Sequence, residues 1–181
     1  MKKTTFLKYL MLLALIMASN GIYAQTVVFS EDFNSITGTA VLSSTKLPKW
    51  TLSNVYAQNQ SVRVGTSGAA GSLTTPEIDL SGAGGKFTLE FKVCAWVKDA
   101  TSMNFVIVNG TIEENYSITE LTNDGNYTNL KQVSMTFTSG TSNTKIRFET
   151  AKSSKARFIL DDVVITQESG PSINLSSSSL G

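Results

Sequence analysis

The chain has 181 residues, with 15 basic and 14 acidic side chains, 41% hydrophobic and 16% charged residues, one cysteine and no histidine. Without imidazole there is no Ser-His-Asp or Cys-His catalytic arrangement and no HExxH zinc helix. A single cysteine excludes an internal disulfide and CxxC metal knuckles.

The chain opens on Lys2, Lys3 and Lys8, continues through an apolar run from Leu10 to Ala18, and exits through Ser19, Asn20, Gly21, Ile22, Tyr23 and Ala24. Basic start, short apolar stretch and small-residue exit describe a secretory signal peptide, residues 1–24, cut after Ala24. The apolar run is far shorter than the roughly 20 residues that span a bilayer. The expected product is exported to a periplasm, a cell surface or the medium, with no membrane insertion. Losing this segment removes three basic residues and leaves a net charge of −2. Such a surface gives no electrostatic reason to expect nucleic acid as a partner.

From Gln25 onward, period-two alternation recurs and no convincing helical stripe appears. Predicted strands fall at Thr26–Ser30, Ser61–Val64, Ser72–Ile78, Lys86–Lys98, Asn104–Val108, Gln132–Thr138, Lys145–Glu149 and Arg157–Thr166. The clearest is Lys86–Lys98, which sets Phe87, Leu89, Phe91, Val93, Ala95 and Val97 on one face and Thr88, Glu90, Lys92, Cys94, Trp96 and Lys98 on the other. Turn clusters separate the strands at 65–71, 81–85, 123–126 and 139–143. Forty-five serines and threonines with nine phenylalanines fit such a strand-rich, ordered chain. An all-β fold with two antiparallel sheets follows, because one sheet of this size would leave its apolar face wet. The domain is placed at 25–166. Residues 167–181 read as a linker or tail, with Ile173 and Leu175 restarting an alternation that also suits the first strand of a further, truncated domain. The last strand is unusual: apolar on both faces yet interrupted by Asp161 and Asp162, two carboxylates that need partners or a cation.

Several motifs now align. Phe29-Ser30-Glu31-Asp32-Phe33-Asn34 follows the signal segment, then come Leu47-Pro48-Lys49-Trp50-Thr51, Gly71-Ser72-Leu73-Thr74-Thr75-Pro76 with Ile78-Asp79-Leu80-Ser81, and finally Phe158-Ile159-Leu160-Asp161-Asp162-Val163. In this order they resemble the secreted jelly-roll modules of Bacteroidetes-type bacteria, related to cleaved-adhesin, MAM-like and galactose-binding-like domains, over residues 27 to 166. The resemblance implies a jelly-roll β-sandwich, a non-catalytic role in adhesion or in binding glycan or a surface protein, and often a structural calcium ion where the two chain ends meet. The chain lacks the dense aspartate loop of calcium-rich relatives.

Glu31, Asp32, Asp161 and Asp162 are the candidate calcium ligands, since calcium takes six to eight oxygens and antiparallel first and last strands bring their ends together. In the plainer alternative Asp32 caps a turn and one of the two late aspartates faces solvent. Trp96 is the candidate ligand platform, with Lys92, Glu90 and Arg147 as polar contacts, because aromatic faces pack on the apolar faces of sugars. If Lys92, Trp96 and Arg147 share an exposed concave face, a glycan binder is expected. A convex or covered face instead suits a structural or protein-interaction spacer. Trp50 is read as a core anchor, and Tyr56, Tyr116 and Tyr127 are assigned to loops at one end. Paired carboxylates are the only catalytic route left, and Glu113 and Glu114 on a strand face opposite ways.

Overall fold

The computed structural model describes residues 25–168, so the predicted signal segment and residues 169–181 lie outside the described residues. Eleven strands form two antiparallel sheets. They are β1 (Gln25–Glu31), β2 (Thr51–Ser53), β3 (Val55–Ala57), β4 (Val62–Val64), β5 (Ser72–Thr74), β6 (Phe87–Ala95), β7 (Met103–Asn109), β8 (Ile112–Ile118), β9 (Lys131–Phe137), β10 (Thr144–Thr150) and β11 (Phe158–Glu168). One sheet runs β3-β4-β11-β6-β9 with β1 also paired to β11, and the other runs β2-β5-β10-β7-β8. Asn54, in the left-handed conformation at φ 51°, is the corner where the chain leaves one sheet for the other between β2 and β3. Among the described residues no helix is long and apolar enough to cross a membrane.

The alternation read at Lys86–Lys98 is the core face of β6. Phe87, Leu89, Phe91 and Val93 are fully buried and meet Phe105 of β7 and Phe148 of β10 across the sandwich. The Phe91 ring lies edge-on to both, with centroids 5.8 and 5.2 Å away, the geometry that ring quadrupoles favour. Trp50 is 6% exposed and packs beside Phe29 and Phe33, as a core anchor should. Cys94 is buried, and burial pushes its thiol up to about 11 with Asp124 adding to the shift, which leaves it a packing residue.

Strand β11 explains its own anomaly. On one side it pairs with β6 along most of its length. On the other it pairs first with β4, through Phe158–Leu160, and then with β1, through Val163–Glu168. Asp161 and Asp162 sit at the junction, in a bulge where three steps on β11 match two on β6, and Asp162 takes φ 47°. A bulge re-aims side chains and releases ladder groups, which is how a doubly covered strand admits two adjacent carboxylates.

One sequence boundary moves. β11 continues through Glu168, so Gln167 and Glu168 belong to the sheet and not to the predicted linker. Gln167 is 8% exposed, and its side-chain amide donates to the carbonyls of Leu80 and Gly82 at 2.9 and 3.0 Å. A buried amide with two such partners is a structural group.

Candidate functional site

The groove that draws attention lies on the outer face of the six-stranded sheet and has a volume of about 560 Å³. Lys92 of β6 and Asp161 of β11, register partners, supply its charged groups. One wall is the β3–β4 turn, Gln58 to Ser61, and the other is the end of the β8–β9 loop, Asn126 to Thr128 with Leu130. Asn34 also lines it, so five of the lining residues carry a side-chain amide and one, Tyr127, a phenol.

The walls are built on costly backbone. Asn59 and Gln60 form a tight turn at φ 44° and 66°, closed by the Gln58 amide donating to the Ser61 carbonyl at 3.0 Å. The same turn is tied down from outside, where the Asn59 and Gln60 amides donate to the carbonyls of Gly38 and Ile36 at 3.1 and 2.7 Å. Tyr127 stands at φ 55°, and Phe33 and Asp162, each next to a lining residue, stand at 50° and 47°. Five of the eleven left-handed non-glycine residues thus lie in or beside this groove. Such strain gathers where side chains must be held in one place, and at Gln60 a glycine would serve the turn at lower cost. Gln60→Gly is therefore expected to raise stability by about 0.5–1 kcal/mol: relief of about 1–2 kcal/mol of left-handed strain, less about 0.4–1 kcal/mol for the freer unfolded chain. Urea unfolding of both proteins measures it, and a loss of stability would show that the Gln60 side chain is a structural element of the turn.

Next to the groove lies an aromatic and cationic cluster. The Tyr127 ring stacks on Trp96 with centroids 4.6 Å apart. The Arg157 guanidinium sits 5.1 Å from the same indole, and that of Arg63 sits 5.0 Å from it and 4.2 Å from the Tyr56 ring. This corrects the picture of Trp96 as an open platform: β6 ends at Ala95, and the indole is already engaged by its own chain. The β8–β9 loop folds back here, with the Thr122 carbonyl accepting from the Ala95 amide at 2.8 Å.

The other predicted polar contacts separate. Arg147 lies on β10 in the opposite sheet, where it holds Glu113 through both Nη atoms at 2.9 Å and Glu149 through Nε at 2.9 Å. It shares no face with Lys92 and Trp96. Alternation tells inward from outward but not one sheet from the other, which is why the sequence joined them. Glu90 shares the outer face with Lys92 but accepts a hydrogen bond from Ser134 Oγ at 2.9 Å, outside the groove lining. Glu90 and Glu149 are on different sheets.

The four proposed calcium ligands fall on neighbouring stretches, the end of β1 and the bulge of β11, each with its own partner. Glu31 accepts from the Phe33 amide and Asp32 from the Asn34 amide, both at 3.0 Å, so Asp32 caps a turn. Asp162 pairs with Lys92 Nζ at 2.6 Å. Asp161 Oδ1 accepts from the Asp162 amide at 2.9 Å. Among the described residues no group of three or more acidic or thiol side chains is placed to hold a metal ion. The Asp161 carboxyl is instead raised from 3.8 to about 6, first by burial and then by the Asp162 charge, with Asp32 contributing and Lys92 opposing.

No protein-family model matches the chain, and no curated protein matches it. Solved structures do. The CBM22-1 xylan-binding domain of Xyn10C from Paenibacillus barcinonensis superposes with a TM-score of 0.53 at 13% identity, covering 83% of this chain and all of that one. The structure titled BiXyn10A CBM1 in its apo form gives 0.51 at 14% identity, covering 79% and 99%. The K3 cleaved adhesin domain of Lys-gingipain from Porphyromonas gingivalis gives 0.48 at 19%, covering 78% and 100%. The chain therefore has the jelly-roll sandwich fold of such modules, as its motifs led one to expect.

Proposed function

We propose that the chain is an exported, non-catalytic binding module whose polar groove takes a glycan. The observation that carries this reading is the groove itself, lined by five amide-bearing residues and Tyr127, with five left-handed non-glycine residues in or beside it. Sugars are recognised by such converging hydroxyl, amide and aromatic groups, and a structural neighbour is titled a xylan-binding domain. The groove replaces the Lys92, Trp96 and Arg147 face on which glycan binding was first expected. A single carboxyl, Asp161, lines it, whereas glycoside hydrolysis needs two flanking the bond.

The test is titration of the chain from Gln25 onward with xylan and a panel of plant and microbial glycans. Tyr127→Ala and Gln60→Gly are each expected to weaken binding about tenfold, the equivalent of about 1.4 kcal/mol. Because Gln60→Gly should also be the more stable protein, its loss of affinity would not be a folding defect. Absence of binding across the panel would favour the spacer reading, on which Trp96 is covered simply to close the end of the sandwich.

A further inference from the structure

The chain has three arginines, and two of them are neutralised: Arg147 by Glu113 and Glu149, and Arg157 by Asp99. Arg63 takes part in no ion pair of the described residues, and its Nε is buried without a hydrogen-bond partner. Burial presses its pKa below that of an ordinary arginine, with Tyr56 opposing and the nearby Arg157 charge adding to the shift. A buried donor left unmade is costly, and a cation near a like charge compounds that cost.

Nε itself is closed to solvent, so a ligand would meet the Nη end of the guanidinium, and its position suits such a contact. Arg63 is the middle residue of β4, two positions after Ser61, the last residue of the turn that walls the groove. Its guanidinium lies over Tyr56 and Trp96. Trp96 in turn carries Tyr127, a wall of the groove. The two rings flank the guanidinium, and a guanidinium fork matches the two oxygens of a carboxylate.

We propose that Arg63 forms an anionic subsite at the end of the groove and that the glycan carries uronic acid, its carboxylate pairing with this guanidinium. This deepens the glycan reading and rests on it. The net charge of −2 after removal of residues 1–24 repels polyanions in general, so an acidic glycan is held by this local cation and not by bulk attraction.

The test compares glucuronoxylan and polygalacturonate with the same polymers after their carboxyl groups are reduced to alcohols. Binding is measured at about 150 mM salt, where charges beyond about 8 Å are screened. At least one acidic polymer is expected to bind about tenfold more tightly than its reduced form. In Arg63→Gln that preference should fall to about twofold or less while binding of the reduced polymer persists. Arg63→Lys, which keeps charge but loses the fork, should fall between them. Equal affinity of wild type for acidic and reduced polymers, or an undiminished preference in Arg63→Gln, would overturn the carboxylate subsite and leave the glycan groove standing. Failure of wild type to bind any of the four would overturn the carboxylate subsite, and failure across the wider glycan panel would overturn both. The wild-type comparison decides even if a variant folds poorly.

Discussion

Asp99→Ala is expected to destabilise the domain by about 3–5 kcal/mol, because it strands a partly buried cation. The Asp99 side chain is 2% exposed and that of Arg157 19%. Asp99 Oδ2 accepts from Arg157 Nε at 2.7 Å and from the Arg157 backbone amide at 3.0 Å, while Oδ1 accepts from Nη2 at 2.9 Å. The pair joins the turn after β6 to the start of β11, where the Trp96 amide also donates to the Arg157 carbonyl at 2.9 Å. The melting temperature should fall by roughly 10–15 °C. Ligand affinity should fall with it, since Arg157 underlies Trp96 and Trp96 supports Tyr127. The Arg157 contacts hold the Asp99 carboxyl below its ordinary 3.8. This contribution is therefore complete above the ordinary carboxylate range and is lost as pH falls through the lowered value, so the two proteins should converge in acid. A loss under about 1 kcal/mol at neutral pH would place the pair among exposed ion pairs of little consequence.

What the sequence made legible was the burial code. Five of the six alternating residues read at Lys86–Lys98 form the core face, Val97 falling beyond the end of β6; Trp50 marked the anchor, and Asp161 and Asp162 marked a misfit that the bulge explains. Strand β8, Ile-Glu-Glu-Asn-Tyr-Ser-Ile, was not among the predicted strands because it is a sheet edge whose more covered positions include Glu114 and Tyr116, so its burial alternates without an apolar-polar alternation in the sequence. Strands β2 and β3, three residues each, are too short to show a period. At the site, Lys92 and Asp161 had been singled out, though for different roles, and Tyr127 had been assigned to a loop. The amides of Gln58, Asn59 and Gln60 were missed because their hairpin carries Asn-Gln where the recognisable turn is Asn-Gly. Arg63 gave no signal at all, since a missing partner is a property of the folded neighbourhood. Valines on both sides of Asn59 were the one hint that a tight turn lay there.

The bulge decides between a cation site and a self-contained charge cluster through the sign of one substitution. Asp161 is half-buried and titrates near 6 instead of 3.8, so between those values the folded state holds its proton more tightly than the unfolded state does. Stability therefore declines as pH rises from about 4 to 6, and the penalty is complete above 6. Two pKa units correspond to about 3 kcal/mol, which partial exposure reduces to about 1–2 kcal/mol. Asp161→Asn keeps an oxygen for the Asp162 amide and removes the charge. It should be nearly neutral at pH 4 and stabilising by about 1–2 kcal/mol at pH 8, a rise of roughly 3–6 °C in melting temperature. Lys92, raised first by its hydrogen bond to Asp162, and Asp32, lowered first by the Asn34 amide, keep their charges across this range and leave the sign unchanged. Asp162→Ala should cost under about 1 kcal/mol, because its partnership with Lys92 is 38% and 46% exposed. A calcium site predicts the reverse. Calcium at 100 times its dissociation constant would add about 2.7 kcal/mol to chelator-treated protein, and both Asp161→Asn and Asp162→Ala would abolish that gain. Stabilisation by Asp161→Asn at pH 8 with no response to calcium establishes the bulge as an internally balanced cluster, in which the Lys92 ammonium supplies the cation that the paired aspartates require.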